Sequence, residues 1–196
     1  MLFNRRIEEP DLVLRVQTLQ VAALQSTIPG EAAAPLNKAG DLLLQSGDLA
    51  GALDLYGRAV DSMVEADRYE AATGLCRKII RTAPGVVRAR CTLAWLAIGA
   101  GFTGELESRL AQYIAAAEVS GMEEFARREV RRMSVHAVLD DVRVLLGEHM
   151  LKLGDDEAAN ELFGSVYRAR NAGVQFESRT AETWPKVRGA LLARSA

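Results

Sequence analysis

The chain has 196 residues, 49% of them apolar, and a formal net charge of -2. That apolar content excludes a disordered tail, and the near-neutral charge argues against a nucleic-acid-binding protein built on an overall positive field. Two isolated cysteines, Cys76 and Cys91, with no CxxC and no neighbouring histidine, argue against a disulfide scaffold at this size and read as small core residues.

From the start, Arg5 and Arg6 are followed by Glu8, Glu9 and Pro10 instead of an apolar run, so no secretory leader is expected. The first predicted helix covers residues 11–26, with Leu12, Val16, Leu19 and Ala23 on one face. After a loop at Thr27, Ile28, Pro29 and Gly30, helical spacing predicts elements at 33–46, 49–65, 69–82, 86–100 and 104–118. Three more are predicted at 121–134, 136–152 and 155–170. Breaks at Gly47-Asp48, Pro84-Gly85, Gly101, Ser120-Gly121 and Gly154-Asp155 punctuate them. Such short connections predict antiparallel neighbours. The pattern fades over 171–180, and Trp184-Pro185 opens a short terminal helix. The apolar, uncharged stretch 91–104 is too short for a hydrocarbon core of roughly 30 Å. A cytoplasmic protein without membrane insertion is therefore the expectation.

Two segments share a pattern. Residues 33–66 carry Leu36, Ala39-Gly40, Leu43, Gly47-Asp48, Ala52, Tyr56 and Ala59. Residues 140–173 carry Leu146-Gly147, Met150, Gly154-Asp155, Ala159, Phe163 and Val166. Between them Tyr69, Ala72, Cys76, Ile79 and Pro84 fit a second helix with its closing proline, and Leu93-Ala94 with Gly101 fit a following first helix. In the register set by Ala72 and Pro84, helix 49–65 serves two repeats at once, and residues 104–139 match poorly. The pattern resembles the tetratricopeptide repeat, whose period is about 34 residues. The resemblance implies an all-α solenoid of antiparallel hairpins with about nine or ten helices. Small residues Gly40, Ala94 and Gly147 are expected to face Ala52, Ala72 and Ala159, allowing close helix approach. The implied division is an N-terminal helix and loop at 1–30, an array at 31–171, and a linker with a short helix at 172–196. The two flanking segments are expected to cap the array.

Family members bind ligands through the concave face of each first helix. Carried onto this chain, the implied groove residues are Asn37, Asp41 and Leu44; Arg88, Cys91 and Trp95; and Val144, Glu148 and Leu151. Trp95 is either an aromatic anchor for a partner or a residue packed against helix 104–118. Family members that hold a C-terminal carboxylate use a lysine and asparagine clamp. Asp41 and Glu148 would repel such a ligand.

Other constellations carry less. Gly99, Gly101 and Gly104 fit GxGxxG, with Glu123 and Glu124 at ribose distance, but no preceding strand is predicted, so the glycines read as an inter-helix turn. His136 and His149 belong to no metal motif, and no nucleophile elbow, P-loop or carboxylate pair appears. No cofactor, metal or enzyme activity is expected. Glu123-Glu124 leads Arg127, Arg128, Arg131 and Arg132 on one helix. This reads first as an ion-paired exposed face, and alternatively as a grip, aided by Arg143, for an acidic ligand or RNA. The leading expectation is a non-catalytic scaffold or adaptor that binds a protein, peptide or helix and belongs to a larger assembly.

Overall fold

The computed structural model describes residues 9–101, 103–172 and 180–195. Among these, all regular structure is helical: α1 (Glu9–Leu24), α2 (Ala33–Ser46), α3 (Leu49–Glu65), α4 (Tyr69–Thr82), α5 (Val87–Ala100), α6 (Thr103–Val119), α7 (Glu123–His136), α8 (Asp140–Lys152), α9 (Asp156–Asn171) and α10 (Thr180–Ser195). The all-α expectation therefore holds, with breaks where glycine and aspartate punctuate the sequence. No helix among the described residues is long and apolar enough to cross a membrane.

One stop signal closes four of these helices. At the end of α2, Gly47 has φ +93° and donates to Leu44 O, while Asp48 donates to Leu43 O at 2.9 Å. This pair of bonds satisfies carbonyls that the helix end leaves open. Gly121 and Gly154 repeat it after α6 and α8, and Asp67, at φ +58°, does so after α3 without glycine. Asp48 then begins α3, its carboxylate accepting from Gly51 N at 2.9 Å.

The chain forms two compact units, Met1–Leu75 and Cys76–Ala196, with the boundary inside α4. In the first, α2 packs against both α1 and α3. Val16 and Ala23 of α1 share a core with Leu36, Ala39, Leu42, Leu55 and Ala59, and Met63 packs against it. The opposite face of α1 leaves Val13, Leu14, Val21 and Leu24 exposed. The α2–α3 crossing is tight because a β-carbon on Gly40 would lie 2.6 Å from the Tyr56 ring. Tyr56 is fully buried and its hydroxyl donates to Asp41 at 2.5 Å.

In the second unit, α5 packs against α6, α7 and α10, and α8 packs against α6, α7 and α9. Every residue from 91 to 99 on α5 is buried, as a helix apolar on all sides requires. The α8–α9 crossing repeats the first unit at the same sequence spacing: a β-carbon on Gly147 would lie 2.5 Å from the Phe163 ring. Ala52 and Ala159 are both fully buried, as are Ala72 and Ala94 in their respective units.

The units do not follow the three segments read from sequence. The N-terminal helix shares the α2–α3 core, and the C-terminal helix packs onto α5 and α7. α10 thus returns to a helix far earlier in the chain. The reason lies in α5, whose all-round apolar surface needs a further cover.

Candidate partner-binding site

The expected groove residues fall into three groups. On α2, Leu44 is exposed, while Asn37 and Asp41 are half-buried and Asp41 accepts the Tyr56 hydroxyl. Burial first, and then Asp41, pushes the Tyr56 phenol well above its usual range. On α8, Glu148 and Leu151 are exposed and Val144 is half-buried. On α5, Arg88 is exposed, but Cys91 and Trp95 are fully buried. Both of these side chains lie against α7 and not on the surface.

These contacts centre on Glu129 of α7, which is 1% exposed. Its Oε2 accepts from Trp95 Nε1 at 3.1 Å and from Cys91 Sγ at 3.9 Å. Its Oε1 accepts from Arg132 Nη1 at 2.8 Å. A carboxylate this buried requires such partners. The Arg132 guanidinium also lies 5.8 Å from the Trp95 ring centroid, and its Nη2 donates to Ala190 O of α10 at 2.9 Å. The His136 ring stands 5.5 Å from Trp95. Burial, then Arg132 and Lys186, hold its pKa below that of an ordinary imidazole. Trp95 is thus a buried core residue, with Glu129, Arg132 and His136 of α7 around its indole. Glu129 was legible in one respect: it falls on the buried stripe of Ala126, Val130 and Met133.

The arginine face is spent largely within the chain. Arg127 donates to Leu153 O from Nε at 3.1 Å and from Nη2 at 3.0 Å, and to Glu124 at 2.5 Å. Arg131 grips the buried carboxylate of Asp155 through both Nε and Nη2. That bond holds Asp155 below the usual carboxylate range and raises Arg131. Arg128 lies 5.4 Å from the Phe125 ring, which Arg88 also approaches at 5.6 Å. Arg143 donates to Ser165 Oγ at 2.5 Å. The helix therefore braces the α8–α9 turn through Leu153 and Asp155, instead of presenting an array of open guanidiniums.

The glycine motif also has a structural account. Gly99 lies within α5 beneath Trp184 and Val187 of α10, and Gly101 closes α5 at φ +71°. Phe102 lies outside the described residues. No group of three or more metal-ligating side chains occurs among the described residues. Sequence reasoning did not foresee a cleft of about 330 Å³ between α7 and α9, floored by Met150 and Leu162 and rimmed by Arg131, Ser134, Glu161 and Ser165. Its lining comes from three helices, so no local spacing announces it.

Comparison with protein-family models, with curated proteins and with solved structures found no match.

Proposed function

We propose that this chain is a non-catalytic protein-interaction module of tetratricopeptide-like build, working in the cytoplasm as a subunit of a larger assembly. Each unit offers a partner its own strip, Asn37, Asp41 and Leu44 on α2 of the first and Val144, Glu148 and Leu151 on α8 of the second. The observation that carries this reading is the repeated crossing: Gly40 under Tyr56 and Gly147 under Phe163, each followed by a glycine stop and an aspartate. The same hairpin in each unit leaves an apolar residue among polar ones, Leu44 and Leu151, facing water. Such sites bind an extended segment or an amphipathic helix through a few apolar anchors.

Leu44→Lys and Leu151→Lys test the reading, because neither side chain contributes to the core and both variants should melt like the parent. Tagged parent and variants are used to capture partners from the native cell, and the retained proteins are compared by mass spectrometry. The expected result is that each variant loses a partner that the parent retains. Retention of every captured protein by both variants sinks the proposal.

A further inference from the structure

On α5 the residues Arg88, Cys91, Trp95 and Gly99 follow one helical stripe. Arg88 is exposed, Cys91 and Trp95 meet Glu129 of α7, and Gly99 lies under α10. A β-carbon at Gly99 would stand 2.7 Å from the Trp184 ring and 3.0 Å from Val187, so the missing side chain makes a notch for the incoming helix. From α10, Thr183, Val187 and Leu191 are buried and Trp184 is half-buried. Arg132 holds α10 by a main-chain carbonyl, Ala190 O, and so grips the helix whatever side chain stands at that position.

α10 is itself a poor helix. Pro185 lies inside it and removes a main-chain donor, while Gly189 faces open space and so has no packing reason to be glycine. Its order depends on the surface it covers.

Building on the interaction-module reading, we propose that the α5–α7 face is a helix-receiving groove filled in cis by α10. A partner helix bearing the same stripe takes its place: an aromatic residue, a β-branched residue three positions on, and a leucine four beyond that. The partner thus competes with the chain's own C-terminal helix, and its apparent affinity is lowered by the fraction of time that helix is seated.

The test uses the full chain and a fluorescein-labelled peptide of residues 180–195, read by anisotropy. Val187→Asp with Leu191→Asp unseats α10 within the protein. The peptide is expected to bind this variant about tenfold or more tightly than the parent. Adding Gly99→Val fills the notch and is expected to abolish that binding. Circular dichroism of the unseated variant should show a helical, cooperatively melting protein. A folded variant that does not bind the peptide overturns the proposal, as does equal affinity for parent and variant. A variant that cannot fold also overturns it, since α10 is then an obligatory core element. The Leu44 and Leu151 variants leave this face untouched, so the two proposals fail separately.

Discussion

Gly40 and Gly57 lie on neighbouring helices of one hairpin, yet an added methyl group has opposite consequences at the two positions. At Gly40 the new carbon meets the Tyr56 ring at 2.6 Å and the Ala52 carbonyl at 3.2 Å, and Tyr56 is tethered by Asp41. Gly40→Ala should therefore destabilise by about 1–3 kcal/mol despite alanine's better helix propensity. At Gly57 nothing stands within 4 Å, so Gly57→Ala should stabilise by about 0.5–1 kcal/mol. Urea denaturation of the two variants checks both signs. The half-buried and untethered Phe163 has more room to yield to Gly147→Ala, while Ala159→Leu should overpack that crossing by about 1–3 kcal/mol. Acid sensitivity is also set by single residues. His149 is 2% exposed, its Nδ1 has no hydrogen-bond partner, and burial, aided by Lys152 and opposed by Glu107, lowers its pKa from the ordinary 6.5. Below that value the unfolded chain takes up a proton that the folded chain resists, so stability falls as the pH drops from 6.5 to the depressed folded pKa. Asp155 follows the same sign lower down: its contribution is intact above its ordinary 3.8 and is lost as pH falls through its folded pKa. His149→Phe should flatten the stability profile between pH 7 and 5, leaving the slope from His136. An unchanged slope in denaturant melts would remove His149 from this account.

Among the elements, α7 joins the most chemistry. Its buried stripe carries Glu129 to α5, Arg127 reaches the carbonyl that closes α8, Arg131 reaches the aspartate that opens α9, and Arg132 reaches α10. Glu129→Leu should cost about 3–5 kcal/mol, toward the lower end because Arg132 keeps some access to solvent. It should also shift Trp95 fluorescence, since the indole loses its acceptor. Unshifted emission with unchanged stability would mean that the carboxylate does not hold this junction. The helices themselves were legible because glycine, aspartate and proline mark their ends and apolar spacing marks their faces. The close crossings were legible too, in Gly40 and Gly147, where glycine inside a helix signals a packing need. The site was less so. Whether Trp95 and Cys91 meet solvent depends on the helices packed around α5, and periodicity within one helix cannot say what covers it. The arginines were legible only in part for a similar reason: the Arg127–Glu124 and Arg132–Glu129 bonds are local, one helical turn apart, whereas the acceptors Leu153, Asp155 and Ala190 lie far along the chain.

At the scale of the whole molecule, the boundary between the compact units falls inside α4, where the helical pattern runs on without a break. Sequence punctuation marks the ends of elements, so it carries no sign of a division within one. The array read over 31–171 thus spans parts of two bodies, each with its own small-residue crossing. Both tryptophans, Trp95 and Trp184, belong to the second unit, whereas helical signal comes from both. This permits a test of how far the units fold separately. Leu55 is 1% exposed in the core of the first unit, so Leu55→Ala should destabilise that unit by about 2–5 kcal/mol. Thermal melting followed by circular dichroism should then show an earlier loss of helix, while the tryptophan fluorescence midpoint stays where it is in the parent. Leu146→Ala, in the second unit, should do the reverse and lower the fluorescence midpoint while sparing part of the helical signal. If Leu55→Ala moves both transitions together, the chain unfolds as one cooperative body, and the two units are a feature of packing density alone.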